Sequence, residues 1–188
     1  MWRILLPVGL IGLVFAVFTF LWRPWTRAEP NRPEEVAVAA PEFARGTEWL
    51  QSEPLTVASL RGQVVVVHFW TFGCINCIHN YPAYKAWQKQ YGGKGVTIVG
   101  IHTPEFEDEA DLKRVRAKAE QHGLNFPIAV DNNRQNWKNW NNHSWPSIYL
   151  VDKKGNVRYR WEGELDSATT KGERLMRQRI NELLAEKG

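Results

Sequence analysis

Cysteine is scarce in this sequence. Only two of its 188 residues are cysteine, and they lie three positions apart, at Cys74 and Cys77. A fold held together by disulfides needs several cysteine pairs, and a closed zinc or copper site needs more sulfur and imidazole ligands at suitable spacing. The sequence therefore excludes a disulfide-rich fold and predicts no metal site.

Repeats, low-complexity segments and a strong excess of one charge are also missing. Lysine and arginine number 24 against 20 aspartates and glutamates, so the net charge is +4 and the pI is about 9.1. The one dense basic cluster, Lys113 to Lys118, follows a run of acids from Glu105 to Asp111. That order complements a helix dipole and predicts a solvated helix face, and no feature indicates a nucleic-acid partner.

Long apolar runs are absent except at the N-terminus. The 19 residues from Ile4 to Trp22 carry no charged side chain. As a helix they would span about 28 Å, close to the hydrocarbon core of a bilayer, which is about 30 Å thick. Arg3 and Arg23 bracket the run, and tryptophans flank it as they flank membrane spans. The sequence predicts an uncleaved transmembrane signal anchor over residues 1–28.

A cleaved signal peptide is the alternative for this segment. The apolar core of a signal peptide is about 7–15 residues long and ends beside a small-residue cleavage site. Here the run is longer, and the bulky side chains of Phe20, Leu21 and Trp22 occupy its end. The small-residue pattern of residues 37–39 lies too far downstream, so we expect the anchor to remain attached.

Beyond the apolar run, the chain divides into a linker and one domain. Residues 29–41 are polar and contain prolines, which predicts an extended linker. Residues 42–188 are long enough for a single sizeable core. Their patterning predicts strands alternating with helices, then a hairpin and a final helix opened by a capping box from Thr170 to Glu173. The predicted strands cover residues 63–69, 96–101, 126–130, 148–151 and 157–161, and the predicted helices cover residues 74–91, 108–122, 134–140 and the stretch from Thr170.

Cys74 and Cys77 begin the first predicted helix, directly after a valine-rich strand. Free backbone N–H groups and the positive end of the helix dipole favour a thiolate there, which lowers the pKa of the first cysteine. A thiolate attacks a disulfide, and a second sulfur one turn away can then displace the product. The pattern predicts a redox-active dithiol, with Cys74 as the nucleophile and Cys77 as the resolving thiol.

Residues elsewhere complete the pattern around this dithiol. Trp70 lies four residues before Cys74, Pro82 lies inside the helix pattern, and Trp145-Pro146 closely precedes a predicted strand. With these features the chain resembles the thioredoxin superfamily. The segments 70–77 and 100–106, together with Trp145-Pro146, are more narrowly similar to the thioredoxin-like domains of the TlpA/ResA and DipZ group.

The resemblance implies a fold and a set of site residues. The fold is a thioredoxin-like α/β sandwich, in which helices flank a central mixed β-sheet. Because 72 positions separate Cys74 from Pro146, more than a minimal thioredoxin needs, a TlpA-like insertion is also implied. The oxidised form would carry a Cys74–Cys77 disulfide facing a cis-proline at Pro146, with no bound cofactor. Substrate-binding residues are expected at four positions: Trp70, Phe72, Trp145 and Pro146.

Three further residues are candidates for supporting roles. His68 lies six residues before Cys74, where thioredoxins often carry a buried acid that assists proton transfer. It is either a proton acceptor or a hydrogen-bonded core histidine. His102 and Glu105 follow the second predicted buried strand, whose end shares an edge with the dithiol. We expect them to support the residues that form the site.

The resemblance also implies partners and a location. We expect disulfide exchange with exported proteins, in the reducing direction, with electrons from a transmembrane thiol carrier and apocytochrome c as one candidate substrate. Ile75-Asn76 between the cysteines matches neither strong reductants nor strong oxidants, so the motif leaves the direction open. The predicted location is the inner membrane, with the domain on the periplasmic or extracytoplasmic side.

Charge alone would weakly favour the opposite orientation. Basic residues prefer the cytoplasmic side, and Arg23, Arg27 and Arg32 follow the span whereas only Arg3 precedes it. The resemblance to exported oxidoreductases and the absence of cysteine outside the dithiol favour the extracytoplasmic side.

Two other function classes remain as alternatives. A peroxidase of the peroxiredoxin type would carry a threonine three residues before the reactive cysteine, as Thr71 does, but also a proline where this chain has Val67. A metal carrier would use the two cysteines with a histidine. His79 lies two positions after Cys77 on the predicted helix and so does not share its face.

Overall fold

The computed structural model describes residues 34–166 and 171–187. The predicted anchor over residues 1–28 lies outside this part of the chain, as does Thr170 of the predicted capping box. Within the described part, no helix combines the length and the apolar character that crossing a bilayer requires.

The described residues form seven strands, four α-helices and two short 3-10 helices. The strands are β1 Glu34–Ala39, β2 Glu48–Leu50, β3 Val64–Trp70, β4 Val96–His102, β5 Ile128–Val130, β6 Ser147–Val151 and β7 Asn156–Glu162. The α-helices are α1 Ile75–Tyr91, α2 Leu112–His122, α3 Gln135–Asn139 and α4 Gly172–Ala185. The 3-10 helices are Ala58–Leu60 and Glu107–Ala110.

The strands form one mixed sheet in the order β1-β7-β6-β3-β4-β5-β2. Central β3 is parallel to β4 and antiparallel to β6. Its seven residues are all buried because helices or loops cover both faces, which explains the unbroken apolar run that the sequence showed. The carboxyl ends of β3 and β4 and the beginning of β6 therefore meet at one edge of the sheet.

Each face of the sheet carries its own core. On one face, Val66 and Trp70 of β3 pack with buried residues of α1, α2 and α4. On the other face, Val65, Val67 and Phe69 pack with residues of the segment before β3 and with Trp140. The alternation of β3 side chains between the two cores is that of an extended strand. This is the α/β sandwich with a central mixed sheet that the sequence predicted.

Helix α2 begins later than its sequence pattern suggested. The sequence predicted one helix from residue 108, but the side chain of Asp111 accepts hydrogen bonds from the backbone N–H groups of Lys113 and Arg114, at 2.8 and 3.3 Å. This aspartate therefore caps α2 at Leu112, and residues 107–110 form a separate 3-10 turn. The helix ends at Gly123, whose left-handed backbone (φ 65°) matches the predicted glycine stop.

The predicted linker also contains regular structure. Within residues 29–41, Glu34–Ala39 forms the edge strand β1, which pairs antiparallel with β7. The alternation of Val36 and Val38 with alanines is compatible with a strand, but its apolar signal is too weak to separate it from an extended linker. A register shift between Glu35 and Val38 further weakens the periodic pattern.

Candidate active site

The two cysteines differ in position at the start of α1. Cys74 is the N-cap residue, and its carbonyl oxygen accepts the first helical hydrogen bonds from the N–H groups of Cys77 and Ile78, at 3.1 and 3.2 Å. Cys74 is half-buried, whereas Cys77 has 0% of its surface exposed. Both are free thiols in this structure, so the predicted Cys74–Cys77 disulfide remains a prediction for the oxidised form. Only Cys74 is placed for an external partner to reach.

The pKa of the Cys74 thiol is lowered to about 6. The largest cause is a hydrogen bond from the side chain of Cys77, and the N–H groups of Cys77 and Asn76 add to it. Partial burial and the charge of Glu105 oppose the shift. Cys74 is therefore mainly a thiolate at neutral pH. The sequence predicted this through the helix N-terminus alone, whereas the neighbouring thiol contributes most.

The pKa of Cys77 is shifted in the opposite direction, far above its ordinary value. Burial is the main cause, followed by the hydrogen bond and the charge of Cys74, while the backbone N–H of Thr71 opposes them. Cys77 thus holds its proton until Cys74 has reacted. The pair therefore combines a thiolate that can attack a disulfide with a protonated thiol that can attack afterwards.

The Trp145–Pro146 peptide bond is cis, as predicted. The carbonyl oxygen of Trp145 lies 4.0 Å from Cys74 Sγ, so this loop borders the dithiol. The indole Nε1 of Trp145 donates to the carbonyl oxygen of Thr103 at 3.0 Å, which ties the loop to the end of β4. The Trp145 ring also packs against Trp137, with ring centroids 4.1 Å apart. The substrate-binding role of Trp145 and Pro146 remains a prediction.

Trp70 and Phe72 are more deeply placed than the sequence indicated. Trp70 is fully buried and packs edge-on against Tyr81 and His102, so its predicted contact with substrate is wrong. It is the last residue of β3, and its side chain points under α1 rather than toward the surface. Phe72 stacks on His102 beneath the guanidinium of Arg114 and has little surface to offer a substrate.

His68 is a neutral histidine inside the core. It is fully buried, its ring stacks on Tyr84 at 4.0 Å, and burial lowers its pKa to about 3. Neither ring nitrogen has a hydrogen-bond partner among the described residues, so the predicted hydrogen-bonded core histidine is only half right. The position where thioredoxins often place an acid holds an uncharged ring, so the proton acceptor for Cys77 must be sought elsewhere.

The structure places His102 against Trp70 and Phe72, and Glu105 near enough for its charge to act on both thiols, so their supporting roles remain a prediction. His102 ends β4, is fully buried and has a pKa lowered to about 4 by that burial. Its Nε2 lies 3.4 Å from the hydroxyl oxygen of Thr71. Glu105 is exposed, and its charge raises the pKa of both cysteines. Glu105 therefore acts on the thiols through the electric field.

Sequence reasoning overlooked three residues near the site. Ile75 and Phe106 are 60% and 64% exposed and are two of the three large exposed apolar side chains among the described residues. Glu109 lay in an acidic run interpreted as a solvated face, yet it is only 3% exposed. The available signal was its place three residues after Phe106, from which a glutamate can reach back to free N–H groups of a helix start.

The peroxidase alternative finds little support in this geometry. Thr71, which matched the peroxidase pattern, donates its hydroxyl proton to Glu109 at 2.7 Å rather than to Cys74. Across residues 34–166 and 171–187, no three histidine, cysteine, aspartate or glutamate side chains stand together in a way that could hold a metal ion.

Comparison with known proteins adds the family. Residues 36–160, well over half of the chain, match the model of the AhpC/TSA family. The chain belongs to the AhpC/TSA family. Protein DipZ of Mycobacterium tuberculosis (strain CDC 1551 / Oshkosh) is 39% identical over 146 residues, which cover 76% of this chain and 21% of DipZ. This AhpC/TSA-family chain thus spans about a fifth of the length of DipZ.

Two shorter proteins are similar to this AhpC/TSA-family chain along almost their whole length. Thiol-disulfide oxidoreductase YkuV of Bacillus subtilis (strain 168) is 26% identical over 146 residues, covering 78% of this chain and 94% of YkuV. The crystal structure of a thiol-disulfide isomerase from Corynebacterium glutamicum superposes with a TM-score of 0.67 at 28% identity, covering 79% of this chain and 98% of that chain. The described residues therefore form a thioredoxin-like domain.

Proposed function

We propose that this protein is a membrane-anchored thiol–disulfide oxidoreductase that reduces exported proteins. The proposal rests on the difference between the two thiols. Cys74 is accessible and has a pKa of about 6, whereas Cys77 is buried and protonated. Such a pair suits an enzyme that attacks a substrate disulfide with one thiol and then releases the substrate with the other.

The reaction divides into two exchanges. The Cys74 thiolate attacks one sulfur of the substrate disulfide, forming a mixed disulfide and releasing the other substrate sulfur as a thiolate. Cys77 then loses its proton and attacks Cys74 Sγ, which forms the Cys74–Cys77 disulfide and releases the second substrate sulfur. The substrate gains two electrons and two protons. A transmembrane thiol carrier would restore the dithiol by the reverse exchanges.

The surface around Cys74 suits a protein substrate. Exposed Ile75 and Phe106 offer apolar contacts, and the Trp145–Pro146 loop lies beside the reactive sulfur. An unfolded segment with an apolar residue next to its cysteine would fit these contacts, and apocytochrome c is one candidate.

The acidity of Cys74 bears on the direction of transfer. A lower thiol pKa stabilises the reduced enzyme and makes its disulfide more oxidising, as the comparison of thioredoxin (about 7) with DsbA (about 3.5) shows. The value of about 6 lies nearer to thioredoxin. We therefore expect a reduction potential between about −270 and −120 mV, toward the reducing end.

An insulin-reduction assay beside a metal titration tests the proposed activity. We expect the reduced protein to accelerate insulin precipitation in the presence of dithiothreitol, and to bind Zn²⁺ or Cu⁺ no more tightly than dithiothreitol itself. Tight metal binding without insulin reduction would support the metal carrier and contradict an oxidoreductase.

The proposed location has a separate test. An uncleaved anchor predicts full-length protein in the membrane fraction, with the domain cleaved by protease added to intact spheroplasts. A cytoplasmic marker protein should stay protected in the same sample. A mature protein that begins after Ala28 or Ala39 would mean a soluble exported enzyme, and protection of the domain would reverse the orientation.

A further inference from the structure

Glu109 is a buried carboxylate that the two-step reaction does not use. It belongs to the 3-10 turn after β4 and is 3% exposed. Its Oε2 accepts hydrogen bonds from the Thr71 hydroxyl at 2.7 Å, from the backbone N–H of Glu105 at 2.7 Å and from that of Phe106 at 3.3 Å. One oxygen therefore connects the end of β3, just before the dithiol, to the loop that follows β4.

The two segments held by Glu109 are the ones that act on the dithiol from outside α1. The backbone N–H of Thr71 lowers the pKa of the Cys77 thiol and so favours its thiolate. The carboxylate of Glu105 disfavours the thiolates of both Cys74 and Cys77. These influences have opposite sign, so their balance depends on where Thr71 and Glu105 are held.

We propose that Glu109 is a positioning residue that holds Thr71 and Glu105 in place beside the dithiol. The proposal deepens the proposed function, because it assigns control of the dithiol's acidity to a residue that touches neither sulfur. A buried carboxylate with three donors is well satisfied, so it can serve as a rigid anchor between two loops.

The contact with Gly73 supports this role. A Cβ atom placed on Gly73 would lie 2.0 Å from Glu109 Oε1, so the carboxylate lies directly against the residue that precedes Cys74. Only glycine leaves room for it. The anchor is thus in contact with the active-site turn as well as bonded to its neighbour Thr71.

His102 extends the same hydrogen-bonded chain. The single hydroxyl proton of Thr71 goes to Glu109, so the hydroxyl oxygen can only accept at its other contact. His102 Nε2 lies 3.4 Å from the same hydroxyl oxygen, and an Nε2 proton would complete a chain from His102 through Thr71 to Glu109. The titratable and charged groups that face this region are His102 at the end of β4, Glu105 and Glu109 after it, Tyr81 and Tyr84 on α1, and Arg114 over Phe72.

Thiolate titration of purified full-length protein tests the proposal. The midpoint for Cys74 is read from thiolate absorbance near 240 nm and from the rate of iodoacetamide labelling against pH. Glu105→Gln should lower this midpoint by about half a pH unit, because an exposed charge is largely screened. Glu109→Ala should lower it similarly, since the Glu105 loop is no longer held near Cys74.

A double-mutant cycle then separates positioning from a direct effect. If Glu109 acts through Glu105, Glu109→Ala should change the midpoint much less when Glu105→Gln is already present. Glu109→Gln, which keeps an oxygen acceptor, should stay near the parent. Glu107→Gln is the matched control, because Glu107 is exposed on the same turn. Thr71→Val should shift the pKa of Cys77 more than that of Cys74. Thr71→Ser should return both pKa values to those of the parent protein.

The positioning role of Glu109 and the proposed oxidoreductase activity can fail independently of each other. An unchanged midpoint in Glu109→Ala, or equal shifts with and without Glu105→Gln, would overturn the positioning role even if insulin is reduced normally. If the double-mutant cycle gives the expected shifts but the protein exchanges no disulfides, the positioning role stands and only the proposed oxidoreductase activity is contradicted. Because the readout is thiol ionisation in folded protein, loss of stability alone cannot imitate it.

Discussion

Cys77→Ser should convert the protein into a trap for its substrates. Cys74 would still attack a disulfide, since it remains accessible, but no internal thiol could release the mixed disulfide. Intramolecular attack by a well-placed group has a very high effective concentration, so losing it should slow turnover by roughly a thousandfold. Acid-quenched samples on non-reducing gels should show high-mass bands that disappear with dithiothreitol.

Cys74→Ser is the matched control for this trap. Its remaining thiol is fully buried, and its pKa is raised by that burial, so it should form few such bands. Equal trapping by the two variants would contradict the assigned roles of the two sulfurs. Mass spectrometry of the trapped bands would identify the substrates directly.

Gly100→Ala should cost the domain about 1–3 kcal/mol of unfolding free energy, as overpacking of a core does. Gly100 lies in β4, next to β3 in the centre of the sheet. An added Cβ would lie 2.9 Å from Trp70 Nε1 and 3.1 Å from both His68 Nε2 and Phe126 Cε2. These rings are packed on several sides, so none can move away freely. A urea titration should show a lower midpoint with an unchanged slope.

A second substitution checks the cause of that loss. Phe126→Leu removes one of the three contacts, so it should cost less in the Gly100→Ala background than in the parent. Parent-like stability of Gly100→Ala would mean that the core around His68 is loosely packed, contrary to the ring contacts seen there.

The fold was largely predictable because its central elements have strong periodic signals. The valine-rich β3, the apolar β4 and the stripe of α4 are buried as their patterns indicated. Strands β1 and β2 were missed because they lie at the two edges of the sheet. An edge strand is short or half-exposed, so its sequence keeps little of the alternation that identifies a strand.

The site was predictable where spacing alone fixes geometry. Cys74, Cys77 and the cis bond at Pro146 lie together because β3 and β6 are antiparallel neighbours whose relevant ends coincide. The depth of a side chain was not predictable in this way. Trp70 packs on His102 and Glu109 bonds Thr71, and these contacts join residues 30 or more positions apart, which local sequence does not encode.

The direction of β1 has a consequence for the proposed anchor. β1 runs antiparallel to β7, which runs parallel to β3, so β1 begins at the end of the sheet where β3 ends and the dithiol lies. Strands β1 and β3 are three strand spacings apart in the sheet, which is about 14 Å. A span that precedes β1 would therefore lead into the domain from the dithiol's own side.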